Sequence, residues 1–170
     1  GLSLKELMEQ GVKLGADVPY CLLRGTALSE GIGERLTPLL AAPDCWVLVA
    51  KPPISVSTKF VYENLDLKKI EQHPDIDGML KAIETGDLYY LADKMGNVLE
   101  TVTIPNYPVI AEMKEQIQRS GALNVLMSGS GPTVFGLFDC REQAEQGYKL
   151  LKQSEISRQI YITRFYQPIH

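Results

Sequence analysis

Apolar and polar positions recur along this chain with two different periods. Leu4, Leu7, Met8, Val12 and Leu14 follow near-helical spacing behind Ser3, and Glu6 sits three residues after that candidate N-cap. The pattern predicts a helix ending near Gly15, followed by a sharp loop at Asp17 and Pro19. Tyr20 to Leu28 reads as a strand with a bulge at Gly25, Gly31-Ile32-Gly33 as a turn, and Glu34 to Leu39 as a second short strand. Ala41-Ala42-Pro43-Asp44 interrupts the pattern and is the best internal boundary. Trp46 to Ala50 is continuously apolar, as a central strand is, and Pro52-Pro53 ends it.

Beyond that strand, Ser57 to Asn64 predicts one or two helical turns, and residues 76–84 and 87–95 two further helices. Pro105 and Pro108 punctuate a loop before a helix from Val109 to Arg119, stopped by Gly121. Leu123 to Met127 and Thr133 to Phe138 read as strands, residues 141–153 as an amphipathic helix, and Arg158 to Tyr166 as a last, alternating strand. From residue 45 the order is strand, helices, strand, strand, helix, strand. Four strands with helices on one face make a two-layer α+β sandwich of ferredoxin-like type.

Composition narrows the function classes. Hydrophobic residues make up 45% and charged residues 22% of 170, a globular balance that argues against disorder or a coiled coil. A net charge of −4 provides no bulk attraction for nucleic acid or an anionic membrane. No apolar run is long enough to span a bilayer. Cys21, Cys45 and Cys140 stand far apart, without a C-x-x-C pair, which argues against a disulfide framework or a structural zinc site and for a reducing cytoplasm. The sequence opens at Gly1, inside a helical pattern, so we expect part of a longer protein.

Two loops could carry chemistry. In Gly15-Ala16-Asp17-Val18-Pro19, small residues precede an Asp, and Pro19 sets the exit direction. Asp17 could accept a proton from a hydroxyl or bind a cation, or it could simply cap a turn. In Ser128-Gly129-Ser130-Gly131-Pro132, alternating glycines free the backbone to direct N–H groups at one point, as an anion-binding nest does. The same residues could equally form a hairpin connection. Other groups are weaker. His73 and His170 are isolated, and Glu71, Asp75 and Asp77 near His73 lack ligand spacing. Cys21 and Cys45 suit packing, Lys68-Lys69 a solvated face, and Tyr62, Tyr89 and Tyr90 a core or rim. No metal site is expected.

Together the loops are more specific than either alone. Leu14-Gly15-Ala16-Asp17-Val18-Pro19, followed by Gly25-Thr26-Ala27 and Glu30-Gly31-Ile32-Gly33-Glu34, resembles the GHMP superfamily of small-molecule kinases. Within it, the string resembles the family acting on 4-diphosphocytidyl-2-C-methyl-D-erythritol, in the non-mevalonate isoprenoid pathway. Met127-Ser128-Gly129-Ser130-Gly131-Pro132-Thr133-Val134-Phe135 is similar to the third GHMP motif. The resemblance covers residues 1–39 and 123–138, with Ser57-Thr58-Lys59 between. Two family features have no counterpart: the P-x-x-x-G-L-G-S-S nucleotide motif, and the N-terminal Lys that partners the Asp.

The resemblance implies that residues 1–40 are a helix-loop-hairpin remnant of an N-terminal domain, and that residues 41–170 are the GHMP kinase C-terminal domain. It implies ATP with Mg²⁺ as cofactors of the intact enzyme and a cytidine diphosphate substrate phosphorylated on its 2-hydroxyl. Asp17 would orient or deprotonate that hydroxyl. Ser128, Gly129, Ser130 and Gly131 would set backbone donors near phosphate oxygens, and Phe60 or Tyr62 would line the substrate pocket. The chain alone is then expected to be inactive, with residues 1–40 exposing surface suited to a homodimer. Two rivals remain: a non-catalytic ferredoxin-like binding or dimerisation module, which has no need of the Asp17 loop, and another GHMP enzyme such as homoserine or mevalonate kinase.

Overall fold

A computed structural model describes residues 1–70 and 73–166, with the side chain of Lys69 excepted. Two units emerge. One is Gly1–Pro43 with the described residues after Arg164, and the other is Asp44–Arg164.

The first unit opens with α1 (Leu4–Gly11), held at its start by the expected capping box between Ser3 and Glu6. Next comes a departure from the sequence reading. Residues 18–23 form a helix, α2 (Val18–Leu23), not the strand predicted from Tyr20. The cause is local. A six-residue apolar run has no period that separates strand from helix, and Pro19 in the first turn is pre-set for a helix. Gly25, at φ +74°, lies in the turn that leaves this helix and is not a bulge. Gly11 lets α2 approach α1: a Cβ there would stand 2.9 Å from Val18 Cγ1. The hairpin follows as β1 (Ala27–Glu30) and β2 (Arg35–Pro38), antiparallel, with Glu30 opposite Arg35.

The second unit is built on an antiparallel sheet in the order β4-β5-β3-β6. Its strands are β3 (Trp46–Lys51), β4 (Asn124–Met127), β5 (Val134–Phe138) and β6 (Gln159–Thr163). Between β3 and β4 run α3 (Thr58–Glu63), α4 (Ile76–Thr85), α5 (Leu88–Lys94), α6 (Glu100–Asn106) and α7 (Pro108–Arg119), and α8 (Arg141–Ser154) links β5 to β6. β3 is central, as its apolar run predicted, with Leu48 paired to Gly136 on one side and Ile162 on the other.

The strand alternation sorts the core. Leu48, Ala50, Val134 and Phe138 join Ile110, Met113 and Ile117 of α7 and Ala144 and Leu151 of α8 in the main cluster. The opposite face is not bare. Val47 and Leu137 meet Cys45 there, with Leu88 of α5 and Met95 packed against them. The second departure is α6, where the two prolines predicted a loop. Pro105 lies one residue before the helix end and Pro108 starts α7, so the chain loses little helical hydrogen bonding. The helix buries Val102 and Thr103.

Candidate functional site

Asp17 occupies the N-cap position of α2, but its side chain makes no capping hydrogen bond. It is exposed, and among the described residues its carboxylate has no partner. The bland reading, that Asp17 serves as a side-chain cap, therefore does not describe it. The turn of the β1–β2 hairpin backs this loop. A Cβ built at Gly33 (φ +114°) would lie 3.6 Å from the Ala16 carbonyl and 3.9 Å from Asp17 Oδ1. The Asp17 loop and the Gly31–Gly33 turn thus meet inside the first unit.

The glycine loop connects β4 to β5 in the second unit. Its backbone donors are not all available, which corrects the four-residue nest expected from the sequence. Ser128 N–H donates to the Thr133 carbonyl at 2.8 Å and Gly131 N–H to the Ser128 carbonyl at 2.9 Å. Both bonds close the turn. Gly129 and Ser130 keep N–H groups with no partner among the described residues. Gly129 is exposed at φ +55°, and a Cβ there would meet nothing within 4 Å. Positive φ and open space at one position are what an approaching anion requires. The Gly131–Pro132 peptide is cis.

Residues that sequence reasoning missed hold this loop. Asn97 donates through Nδ2 to the carbonyls of Met127 and Gly129, each at 2.8 Å. Thr103, fully buried in α6, donates to the Ser130 carbonyl at 3.3 Å. Glu100 accepts from the Met127 N–H at 2.7 Å and pairs with Lys114. Thr58 and Ser130 share a hydroxyl–hydroxyl bond of 2.8 Å across 72 positions. Of these, only Thr58 carried a signal, through the Ser57-Thr58-Lys59 string. A lone Asn in a loop carries none.

Phe60 and Tyr62 stand on α3, the helix that Thr58 opens, and are 36% and 60% exposed. They do not line the cleft beside Ser128 and Gly129. That cleft, of about 250 Å³, is walled by Met79, Met95, Asn97, Leu126, Met127 and Phe135. The weaker candidates resolve as structural groups. Asp75 caps α4 by accepting from the Gly78 N–H, and His73 is exposed. Glu71, His170 and the Lys69 side chain lie outside the described residues. Burial pushes the Cys45 thiol up to about 11, with Asp44 adding to the shift. Tyr89 donates to Asp139, a bond that raises its phenol above the usual range. Among the described residues no helix is long and apolar enough to cross a membrane, and no cluster of three or more His, Cys, Asp or Glu could cage a metal.

The family described as "GHMP kinases C terminal" matches residues 79–154. The chain is 58% identical over 165 residues to the 4-diphosphocytidyl-2-C-methyl-D-erythritol kinase of Lachnoclostridium phytofermentans, covering 97% of this chain and 57% of that protein. It is 53% identical, with the same coverage, to the Lachnospira eligens protein of that name. A crystal structure of 4-(cytidine 5'-diphospho)-2C-methyl-D-erythritol kinase superposes with a TM-score of 0.79 at 28% identity, over 95% of this chain and 57% of that one. The chain thus spans a little over half the length of its relatives. It belongs to the GHMP kinase family and corresponds to the C-terminal portion of its 4-diphosphocytidyl-2-C-methyl-D-erythritol kinase members.

Proposed function

We propose that the chain works as part of a kinase that transfers the γ-phosphate of ATP to the 2-hydroxyl of 4-diphosphocytidyl-2-C-methyl-D-erythritol. The observation that carries this reading is the glycine loop. Two unpartnered backbone donors, Gly129 and Ser130, sit in a turn whose Ser128 and Gly131 N–H groups and whose Ser128, Gly129 and Ser130 carbonyls are all hydrogen-bonded. They do so in a chain more than half identical to kinases of that name. Such fixed donors stabilise the charge that gathers on phosphoryl oxygens without reorganising during the reaction.

Asp17 has the other role. Its free, exposed carboxylate can orient the acceptor hydroxyl or take its proton. Phe60 and Tyr62 are exposed aromatic groups able to line the pocket for the cytidine-bearing substrate. Mg²⁺ would enter with the ATP phosphates, since it binds through them and one or two carboxylates rather than a dedicated protein cage. The unpaired thiols, including exposed Cys21, suit a reducing cytoplasm.

No P-x-x-x-G-L-G-S-S stretch occurs in the sequence, and the chain spans 57% of the Lachnoclostridium phytofermentans kinase. The chain alone is therefore inactive on this reading. The test joins it to the remaining, upstream part of the Lachnoclostridium phytofermentans kinase. The chimera should phosphorylate the substrate where the isolated chain does not. Asp17→Asn in the chimera should lower turnover by about 10²–10⁴-fold. An Asp17→Asn chimera with full turnover sinks the role of that residue, and a folded chimera without kinase activity sinks the reading as a whole.

A further inference from the structure

We infer that Asn97 is a positioning residue, which turns the Ser130 N–H outward by pinning the Gly129 carbonyl inward. This rests on the reading of the glycine loop as a phosphate site. A peptide unit is planar and trans, so its C=O and N–H point in opposite directions. The Gly129 carbonyl and the Ser130 N–H belong to one such unit. When Asn97 Nδ2 draws the Gly129 carbonyl toward itself at 2.8 Å, the Ser130 N–H is aimed the other way.

The rest of the turn follows the same rule. The Met127 carbonyl is held by the second hydrogen of the same amide. The Ser128 carbonyl accepts from the Gly131 N–H, and the Ser130 carbonyl from Thr103 Oγ1. Four consecutive carbonyls are therefore tied down, two of them by one side chain. Asn97 is itself oriented by the Leu99 N–H, which donates to its Oδ1 at 3.0 Å. Both donors of the primary amide are thus spent on the loop while its oxygen accepts from Leu99, and Asp lacks the donors.

The experiment uses the ¹⁵N-labelled chain, titrated with inorganic pyrophosphate and followed through the Gly129 and Ser130 amide resonances, together with ¹⁵N relaxation in the free state. In the unsubstituted chain both amides should shift on titration and should be rigid. Asn97→Ala should weaken pyrophosphate binding roughly tenfold, the scale of two lost hydrogen bonds, and should mobilise Ser130. Ala144→Gly, a core change on α8 that no hydrogen bond ties to the loop, controls for lost stability and should bind as the parent does. If Asn97→Ala does not fold, Asn97→Asp, which keeps the acceptor for Leu99, takes its place. Unchanged affinity and a rigid Ser130 in the substituted chain overturn the inference. If pyrophosphate fails to shift the amides of the unsubstituted chain, the phosphate reading falls. Relaxation then decides the inference separately: a mobilised Ser130 supports Asn97 as the pin, and an unchanged one removes it.

Discussion

At the scale of single residues, the chemistry depends on which polar groups are left free. Gly129 tests this directly. At φ +55° an alanine is strained by about 1–2 kcal/mol, and its methyl group would fill the open space beside the two free N–H groups. Gly129→Ala should therefore lower stability in urea and abolish the pyrophosphate-induced amide shifts. Wild-type shifts in that variant would show that the site lies elsewhere. Glu6 supplies a pH dependence. Ser3, first through its backbone N–H and then through its hydroxyl, holds the Glu6 carboxyl below its usual range. A lowered folded pKa favours the charged form. The contribution is complete above the ordinary value of 4.5 and is lost as pH falls through the lowered one. Amide exchange at Leu7, whose N–H bonds to the Ser3 carbonyl, should accelerate over that acid window beyond its intrinsic trend. Glu6→Gln should remove the excess. Thiol labelling gives a third check: exposed Cys21 should react promptly at pH 8, and Cys45, 2% exposed and titrating near 11, only on unfolding.

At the scale of elements, two glycines set how closely the helices lie on the sheet. A Cβ at Gly136 of β5 would stand 2.5 Å from Ile117 Cγ2 of α7. One at Gly147 of α8 would stand 2.6 Å from Ser120 Oγ and 2.8 Å from Leu48 Cδ2 of β3. Gly136→Ala and Gly147→Ala should each cost about 1–3 kcal/mol through overpacking, read as a lower urea midpoint at an unchanged slope. At Gly147 the gain in helix propensity, about 1 kcal/mol, offsets part of that cost. A stabilised Gly147→Ala protein would mean that Leu48 and Ser120 move aside freely. Long periodic helices and the apolar strands were legible in the sequence because burial on one face imposes the period. The α2 and α6 helices were not. One is a short apolar run without a period, and the other carries a proline tolerated near a helix end.

At the scale of the whole molecule, the first unit exposes much apolar surface. Leu2, Leu4, Leu7 and Leu14 are 40–84% exposed, and a groove of about 580 Å³ is lined by Leu4, Met8, Val12, Leu23 and Leu36 among others. Light scattering should find association of the isolated chain that rises with concentration and is relieved by Leu7→Glu. A monomer at every concentration would count against self-pairing through residues 1–40. By itself the sequence determined the ferredoxin-like order of elements and the two loops worth testing, since periodicity, caps and short strings are local properties of the chain. Only the tertiary structure decided which donors in the glycine loop stay free and which side chains hold it. Asn97, Glu100 and Thr103 reach that loop from about 27 to 32 positions away, and Thr58 from 72. A hydrogen bond between distant residues leaves no period or spacing to read, because it exists only once the sheet and its helices have brought the partners together.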